Sequence, residues 1–277
     1  MQSAASYSSW KAQLSLEFEH RAQRTIITRR QHAGPLVIQK PFYPEGEACH
    51  IYLLHPPGGL VGGDQLNLDV RLHSGSHTLI TTPGAAKFYR SAGPVAQQTQ
   101  TFNIGDKSLL EWLPQETIAF SHTNALVHTR VNLETDAKFI GWEITCLGRQ
   151  ASNDLFNAGR FVQKLEVSIA NKPLLIERAL FEGGSELLCA PWGLANHPTV
   201  GTMTITPATQ DLAIKIRENV QVASGELFSA TLMDNIIVCR YLGPQAETAK
   251  RLFVKVWEIA RPSIYNKKVC APRIWNT

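Results

Sequence analysis

The stretch HPPGGLVGGDQLNLDV, from His55 to Val70, packs two prolines, two glycine pairs and an acid into ten residues before the chain begins to alternate. Three chemistries could use such a turn: a phosphate cradle, a metal site, or a turn that places one carboxylate. A phosphate loop needs a lysine after its last glycine, and here Asp64 follows. A dinucleotide fingerprint needs a helix after the glycines, and this run continues as a strand. An aspartate would also repel phosphate. A glycine turn that presents Asp64 at the start of a strand is left, against a plain turn with positive φ angles.

Two further carboxylates are out of place. Glu143 lies in FIGWEITCL on the strand face of Phe139, Gly141 and Leu147. Glu177 lies in PLLIERALF on the face of Leu175, Ala179 and Phe181. A buried lone carboxylate costs several kcal/mol unless it is paired or meets a cation. An ion pair with Arg178 or Arg149, or an edge strand with one wet side, would account for them. So would an internal polar passage lined by acids. Divalent cations accept carboxylate oxygen as a weak, exchangeable ligand, which suits transit better than storage.

Other residue types offer less. His50 and His55 bracket one strand on opposite faces, and His73 and His77 flank the Gly75 turn. No zinc-ligand spacing and no nucleophile elbow occurs in the sequence. Cys49, Cys146, Cys189, Cys239 and Cys270 form no C-x-x-C pair, and most sit in apolar runs, so reduced core thiols are expected. The turn TPGAAKFYRS interleaves Lys87, Tyr89 and Arg90, a mixture common at protein interfaces. The tail NKKVCAPRIWNT ends with Arg273 and Trp275, and an aromatic near a terminus docks on its own body or on a partner.

The elements that must position these residues are mainly strands. From about residue 13 to 207 short runs alternate with turns: 49–55, 65–73, 77–82, 138–148 and 201–207 are examples. Runs 65–73 and 77–82 read as one hairpin, and 161–184 as another, turning at Asn171-Lys172-Pro173. A small α/β part follows at about 208–265. Leu212, Ile216 and Val220 mark one helix, and Ala249, Leu252, Phe253, Val256 and Ile259 a second, with Pro244 at its start and Pro262 at its end. A strand hairpin turning at Asp234-Asn235 lies between them, and 266–277 is a tail. No linker separates the parts, so 1–277 is read as a single domain. No fixed-period repeat appears, and a sandwich, a barrel or a β-helix fits equally.

Composition narrows the class. Of 277 residues, 44% are hydrophobic and 18% charged, enough for a sizeable core. A net charge of +4 without a dense basic run argues against nucleic acid. No apolar run approaches the roughly 20 residues that span a bilayer, and MQSAASYSSW has no secretory pattern. A cytoplasmic location is expected.

The chain also carries QHAGPLVIQKPFYPEGE (31–47), HIYLLHPPGGLVGGD (50–64), HTLITTPGAAKFYRS (77–91), EWLPQETIAF (111–120), CLGR (146–149) and APRIW (271–275). In this order and spacing it resembles the urease accessory protein UreD family, called UreH in some organisms, over nearly its whole length. The resemblance implies a mainly β fold, an elongated β-helix-like body with a small α/β part carrying two helices. It implies a non-catalytic maturation factor that binds apo-urease and recruits UreF and the GTPase UreG. It implies no tightly bound cofactor, and transient Ni²⁺ on its way to the urease site. Joined to the resemblance, the residues predict that Asp64, Glu143 and Glu177 line the nickel route, and that Lys87, Tyr89, Arg90, Arg273 and Trp275 meet partners. The rival reading is a structural scaffold with no nickel passage.

Overall fold

Short alternating strands joined by glycine turns can either double back as hairpins or bend over into a second sheet. The computed structural model, which describes residues 9–276, does mainly the second. Its strands are β1 (Lys11–Arg21), β2 (Arg24–Ala33), β3 (Val37–Ile38), β4 (Cys49–Leu54), β5 (Gln65–Leu72), β6 (His77–Thr81), β7 (Ala86–Phe88) and β8 (Ala96–Ile104). There follow β9 (Leu109–Trp112), β10 (Thr117–Ala119), β11 (Thr123–Leu133), β12 (Lys138–Leu147), β13 (Gly159–Ile169) and β14 (Lys172–Glu182). After helix α1 (Glu186–Cys189) come β15 (Thr199–Thr206), α2 (Gln210–Asn219), β16 (Leu227–Met233), β17 (Ile236–Gly243) and α3 (Ala246–Tyr265).

The first sheet runs β14-β13-β11-β8-β5-β1-β2, and the second runs β16-β17-β15-β12-β9-β6-β4-β3, with β10 and β7 added beside β12. From β5 to β13 the chain alternates between the sheets, and neighbours within each sheet pair parallel, as in a β-solenoid. The runs 65–73 and 77–82 are therefore not the expected hairpin. β5 pairs with β1 and β8, whereas β6 crosses to the other sheet and pairs with β4 and β9. A turn after alternating strands has the same composition in both cases, which is why the sequence reads as a hairpin. Gln65, Gln97, Leu126 and Val162 stand side by side, so successive coils differ in length and no fixed period is visible. The 161–184 and 227–243 hairpins form, the first turning at Ala170-Asn171 with Lys172 and Pro173 already in β14.

The middle strands of the second sheet are covered on both faces. Leu110, Phe139, Leu147 and Val238 face the first sheet and share its core. Ile140, Trp142, Ile144, Met203 and Tyr241 face the other way, onto Leu212 and Ile216 of α2 and Leu252, Phe253, Val256 and Trp257 of α3. Strands buried on both sides read as continuous apolar runs, as FIGWEITCL does. Helix α3 does not stop at Pro262 but runs on to Tyr265. The proline's missing N–H costs one bond near the helix end, and the buried Tyr265 anchors the last turn.

Helix α3 is held by a buried charge. Arg261, with no exposed surface, gives Nε to Glu111 of β9 at 3.0 Å and Nη2 to both Glu45 oxygens at 2.7 and 2.8 Å. Glu111 also receives the Trp257 indole N–H and pairs with His77 at 2.6 Å. Burial alone would raise its pKa, but the His77 hydrogen bond and charge, then Arg261 and Trp257, outweigh it and bring it down to about 2. Breaking such a pair leaves one charge buried and unpaired. Glu111→Gln and Arg261→Met are each expected to cost about 3–5 kcal/mol in urea denaturation, and together less than their sum. The stability from ionised Glu111 is complete above the ordinary value of 4.5 and is lost as pH falls towards about 2. In the Gln variant that acid-side loss should shrink.

Candidate functional site

The parallel coils put residues of like parity into lateral lanes. On the inner face of the first sheet one lane reads Leu68, Gln100, Thr129, Leu165 and Glu177. The next reads Leu66, Gln98, Val127, Gln163 and Ala179. On the facing sheet Glu143, Thr202 and Arg240 stand side by side. The lane beyond, Val70, Phe102, Val131, Val167 and Leu175, is wholly apolar. A belt of polar side chains thus crosses an otherwise apolar inter-sheet core.

The belt is wired together. Gln100 Nε2 donates to Thr129 Oγ1 at 2.9 Å, and Thr129 in turn donates to Glu143 Oε1. Gln163 Nε2 donates to Glu143 Oε2 and accepts from Thr145 Oγ1 at 2.9 Å. Glu143 thereby joins the two sheets without any cation in contact. Burial pushes its pKa up, the Thr129 and Gln163 hydrogen bonds pull against that, and the Glu177 charge pushes up again. Glu177 pairs with Arg240 of β17, not with Arg178 or Arg149. Arg149 instead lies 3.4 Å from Asp154.

Cavities follow the belt. The largest, about 490 Å³, is lined by His55, Gly59, Leu66, Lys87, Gln98 and Gln100 among others, and its rim residues Pro56, Gly58, Pro83 and Gly84 are exposed. The second, about 60 Å³, shares Gln98 and Gln100 with it and reaches Glu143 and Gln163. The third, about 240 Å³, shares Glu143 and Gln163 and ends at Glu177 and Arg240. Glu143 lines both of these cavities.

Two of the three predicted carboxylates therefore meet, and Asp64 does not join them. Asp64 is buried and accepts the N–H groups of Trp10 and Val61, each at 2.8 Å. The turn does not serve to present the acid; the acid holds the turn. Gly63, at φ +93°, occupies the left-handed region. A Cβ at Gly59 would overlap the Tyr89 ring and lie 2.9 Å from the Lys87 carbonyl oxygen. The turn so fixed forms a wall of the largest cavity. His55 lines the same wall; burial lowers its pKa, with the Asp64 charge opposing.

The predicted partner residues divide. Arg90 and Arg273 are exposed, and Lys87 lines the largest cavity. Tyr89 packs edge-on against Phe120, 4.8 Å between centroids. Trp275 is docked on its own chain: its indole N–H donates to Thr81 Oγ1 at 3.0 Å, and its ring lies against Trp142 and Trp257. Among the described residues no group of three or more His, Cys, Asp or Glu could hold a metal ion, and no helix is long and apolar enough to cross a membrane.

The folded chain binds a proton at Glu143 more tightly than an unfolded chain does. That stability is complete below the unfolded carboxylate value and is lost as pH rises through the folded one. Glu143→Gln removes the loss. The variant should gain on the parent protein in urea denaturation as pH rises above the ordinary carboxylate value of 4.5; parallel profiles would show an ordinary carboxyl.

Comparison with known proteins gives a consistent result. The family described as UreD urease accessory protein matches residues 11–276. The urease accessory protein UreD of Enterobacter sp. (strain 638) is 42% identical over 268 residues, covering 97% of this chain and 96% of its own. That of Citrobacter koseri is 42% identical over 268 residues, covering 97% and 92%. That of Alkalilimnicola ehrlichii is 42% identical over 269 residues, with the same coverage of 97% and 92%.

Proposed function

This chain belongs to the UreD family of urease accessory proteins and has a role in urease maturation, and from that premise we propose that it is a non-catalytic scaffold with an internal path for nickel. It binds apo-urease in the cytoplasm, recruits UreF and the GTPase UreG, and passes Ni²⁺ along the belt between its sheets. The observation that carries this reading is the belt itself. Three adjoining cavities share oxygen-bearing side chains from Gln98 to Glu177 across a core that is apolar on its neighbouring lane. Polar side chains in a core are costly unless hydrogen-bonded, and an apolar lane would have spanned the same sheets without that requirement. Amide, hydroxyl and carboxylate oxygens hold a divalent cation weakly enough to release it.

The rival scaffold without a passage also has an observation in its favour. Both Glu143 oxygens already accept hydrogen bonds, and Glu177 already has Arg240. A passing cation must displace the Thr129 and Gln163 donors and loosen the Arg240 pair. An oxygen so occupied can equally be read as a strut between sheets.

Urease nickel content separates the two in a host that carries the urease genes but lacks this chain. Glu143→Ala with Glu177→Ala is expected to preserve pull-down of UreF, UreG and urease while urease stays nickel-poor. Normal loading with the assembly intact would leave the scaffold reading alone. Asp64→Ala acts through the turn, so its loading defect should come with a stability loss of about 1–3 kcal/mol, the cost of two buried N–H groups losing their acceptor.

A further inference from the structure

The first sheet ends at β14, and the second sheet runs on past it. β17 lies over β14, with Arg240 on Glu177, and β16 lies one strand further out. Among the described residues no strand stands opposite the inner face of β16. On that face Leu227, Ser229, Thr231 and Met233 pair with Leu242, Arg240, Val238 and Ile236 of β17. Val238 and Ile236 are buried in the inter-sheet core, so this is the side turned towards the first sheet. Yet all four β16 residues are exposed, Leu227 by 61% and Met233 by 38%. Phe228, Ala230 and Leu232, on the other face, pack into the core beneath the helices.

β14 is itself an open edge, 11 residues long, and among the described residues it pairs with β13 alone. Just past it the Gly183 N–H donates to Gly159 at the start of β13. Counted back through the unbroken register, the N–H and C=O groups of Glu182, Leu180, Arg178 and Ile176 point away from β13. Ile176 is 69% exposed. Arg178 stands directly across from Lys164 of β13, and like charges so placed repel. Neither forms an ion pair among the described residues. Glu166, two residues along from Lys164, is already engaged by His128 at 3.2 Å and Arg130 at 3.6 Å. Long open edges are usually blunted or covered; this one lies beside an uncovered apolar shelf.

We propose that an extended segment of another protein adds to β14 as a further strand of the first sheet, apolar where it covers β16 and acidic beside Arg178 and Lys164. The added strand takes up the outward N–H and C=O groups of β14. Its inward side chains close over Leu227, Thr231 and Met233. Its outward side chains lie in the lanes of Ile176 and Arg178, where a carboxylate meets two cations that have no acid of their own. A second copy of this chain is a poorer occupant, since pairing through the middle of β14 brings Arg178 close to its own counterpart. The proposal does not depend on the passage reading.

The test uses the full chain and two end-capped peptides of about nine residues, the length of a strand. Both carry valine at alternate positions; one has glutamate between the valines and the other lysine. Hydrogen exchange of the β14 amides locates binding, and its dependence on peptide concentration gives the affinity. The glutamate peptide should slow exchange at Ile176, Arg178 and Leu180, and the lysine peptide should bind about fivefold or more weakly. Arg178→Glu should reverse that preference. Leu227→Asp, on the shelf and not on the edge, should weaken both peptides. Arg178 and Leu227 are exposed in the free chain, so both variants should keep the parent's midpoint in urea. Equal binding of the two peptides by the parent protein and by Arg178→Glu, or protection elsewhere than β14, would overturn the proposal. Unchanged affinities in Leu227→Asp would overturn the placement over β16. A concentration-dependent dimer of the chain alone, protecting the same β14 amides, would make a second copy the occupant instead.

Discussion

The middle of the second sheet, β9, β12 and β15, has no wet face, and most of the structure follows from that constraint. Its strands lie between the first sheet on one side and α2 and α3 on the other. A polar side chain on these strands cannot retreat to water, so its neighbours must satisfy it. The sheet carries two carboxylates in this position, on opposite faces, and they meet opposite fates. Glu111 faces the helices and is surrounded by Arg261, His77 and Trp257, which hold it ionised. Glu143 faces the first sheet and meets only a hydroxyl and an amide, so burial dominates and its pKa rises. One is a fastening and the other is poised to change its protonation or its partner.

The solenoid winding makes the second arrangement possible. Parallel coils set residue beside residue of the same parity, so a polar side chain on one coil lies next to its counterpart on the following coil. Gln98 and Gln100 of β8 stand beside Val127 and Thr129 of β11, which stand beside Gln163 and Leu165 of β13. A hairpin stack would reverse direction at each step and leave such a lane dependent on every turn's length. Here coils of unequal length still keep register, because the loops between the sheets absorb the difference.

Much of this was legible in the sequence. Strand positions, the two C-terminal helices, and the desolvation of Glu143 follow from alternation and from apolar faces, whereas Glu177 stays partly exposed on the edge strand β14. What parity also offered was Gln98 and Gln100: in AQQTQTFNI they share a face with Phe102 and Ile104, and two amides on an apolar face are as anomalous as a carboxylate. The pairing of β5 and β6 with different sheets was not legible, since a turn between sheets and a turn within one use the same residues. Nor was the partner of Glu177. Arg240 lies sixty-three positions away, and only the fold brings β17 against β14. At Asp64 the sequence shows that a glycine turn and an acid are adjacent and not which one constrains the other; the structure has the acid accepting the N–H groups of Trp10 and Val61.

The contrast between the two carboxylates also bears on why the belt is built from amides and hydroxyls. An arginine beside Glu143, of the kind that Glu111 has in Arg261, would pin the inter-sheet core more firmly. It would also fill the small cavity beside Glu143 with a fixed positive charge. Hydrogen bonds from Thr129 and Gln163 satisfy the carboxylate at a smaller electrostatic gain, and each can be surrendered singly. Arg240 stands at the far end of the belt beside Glu177 and is partly exposed. The fastening that the core forgoes at Glu143 is supplied on the other face of the same sheet, by Glu111 and Arg261. The sheet is clamped by charge behind and bridged by neutral hydrogen-bond donors in front.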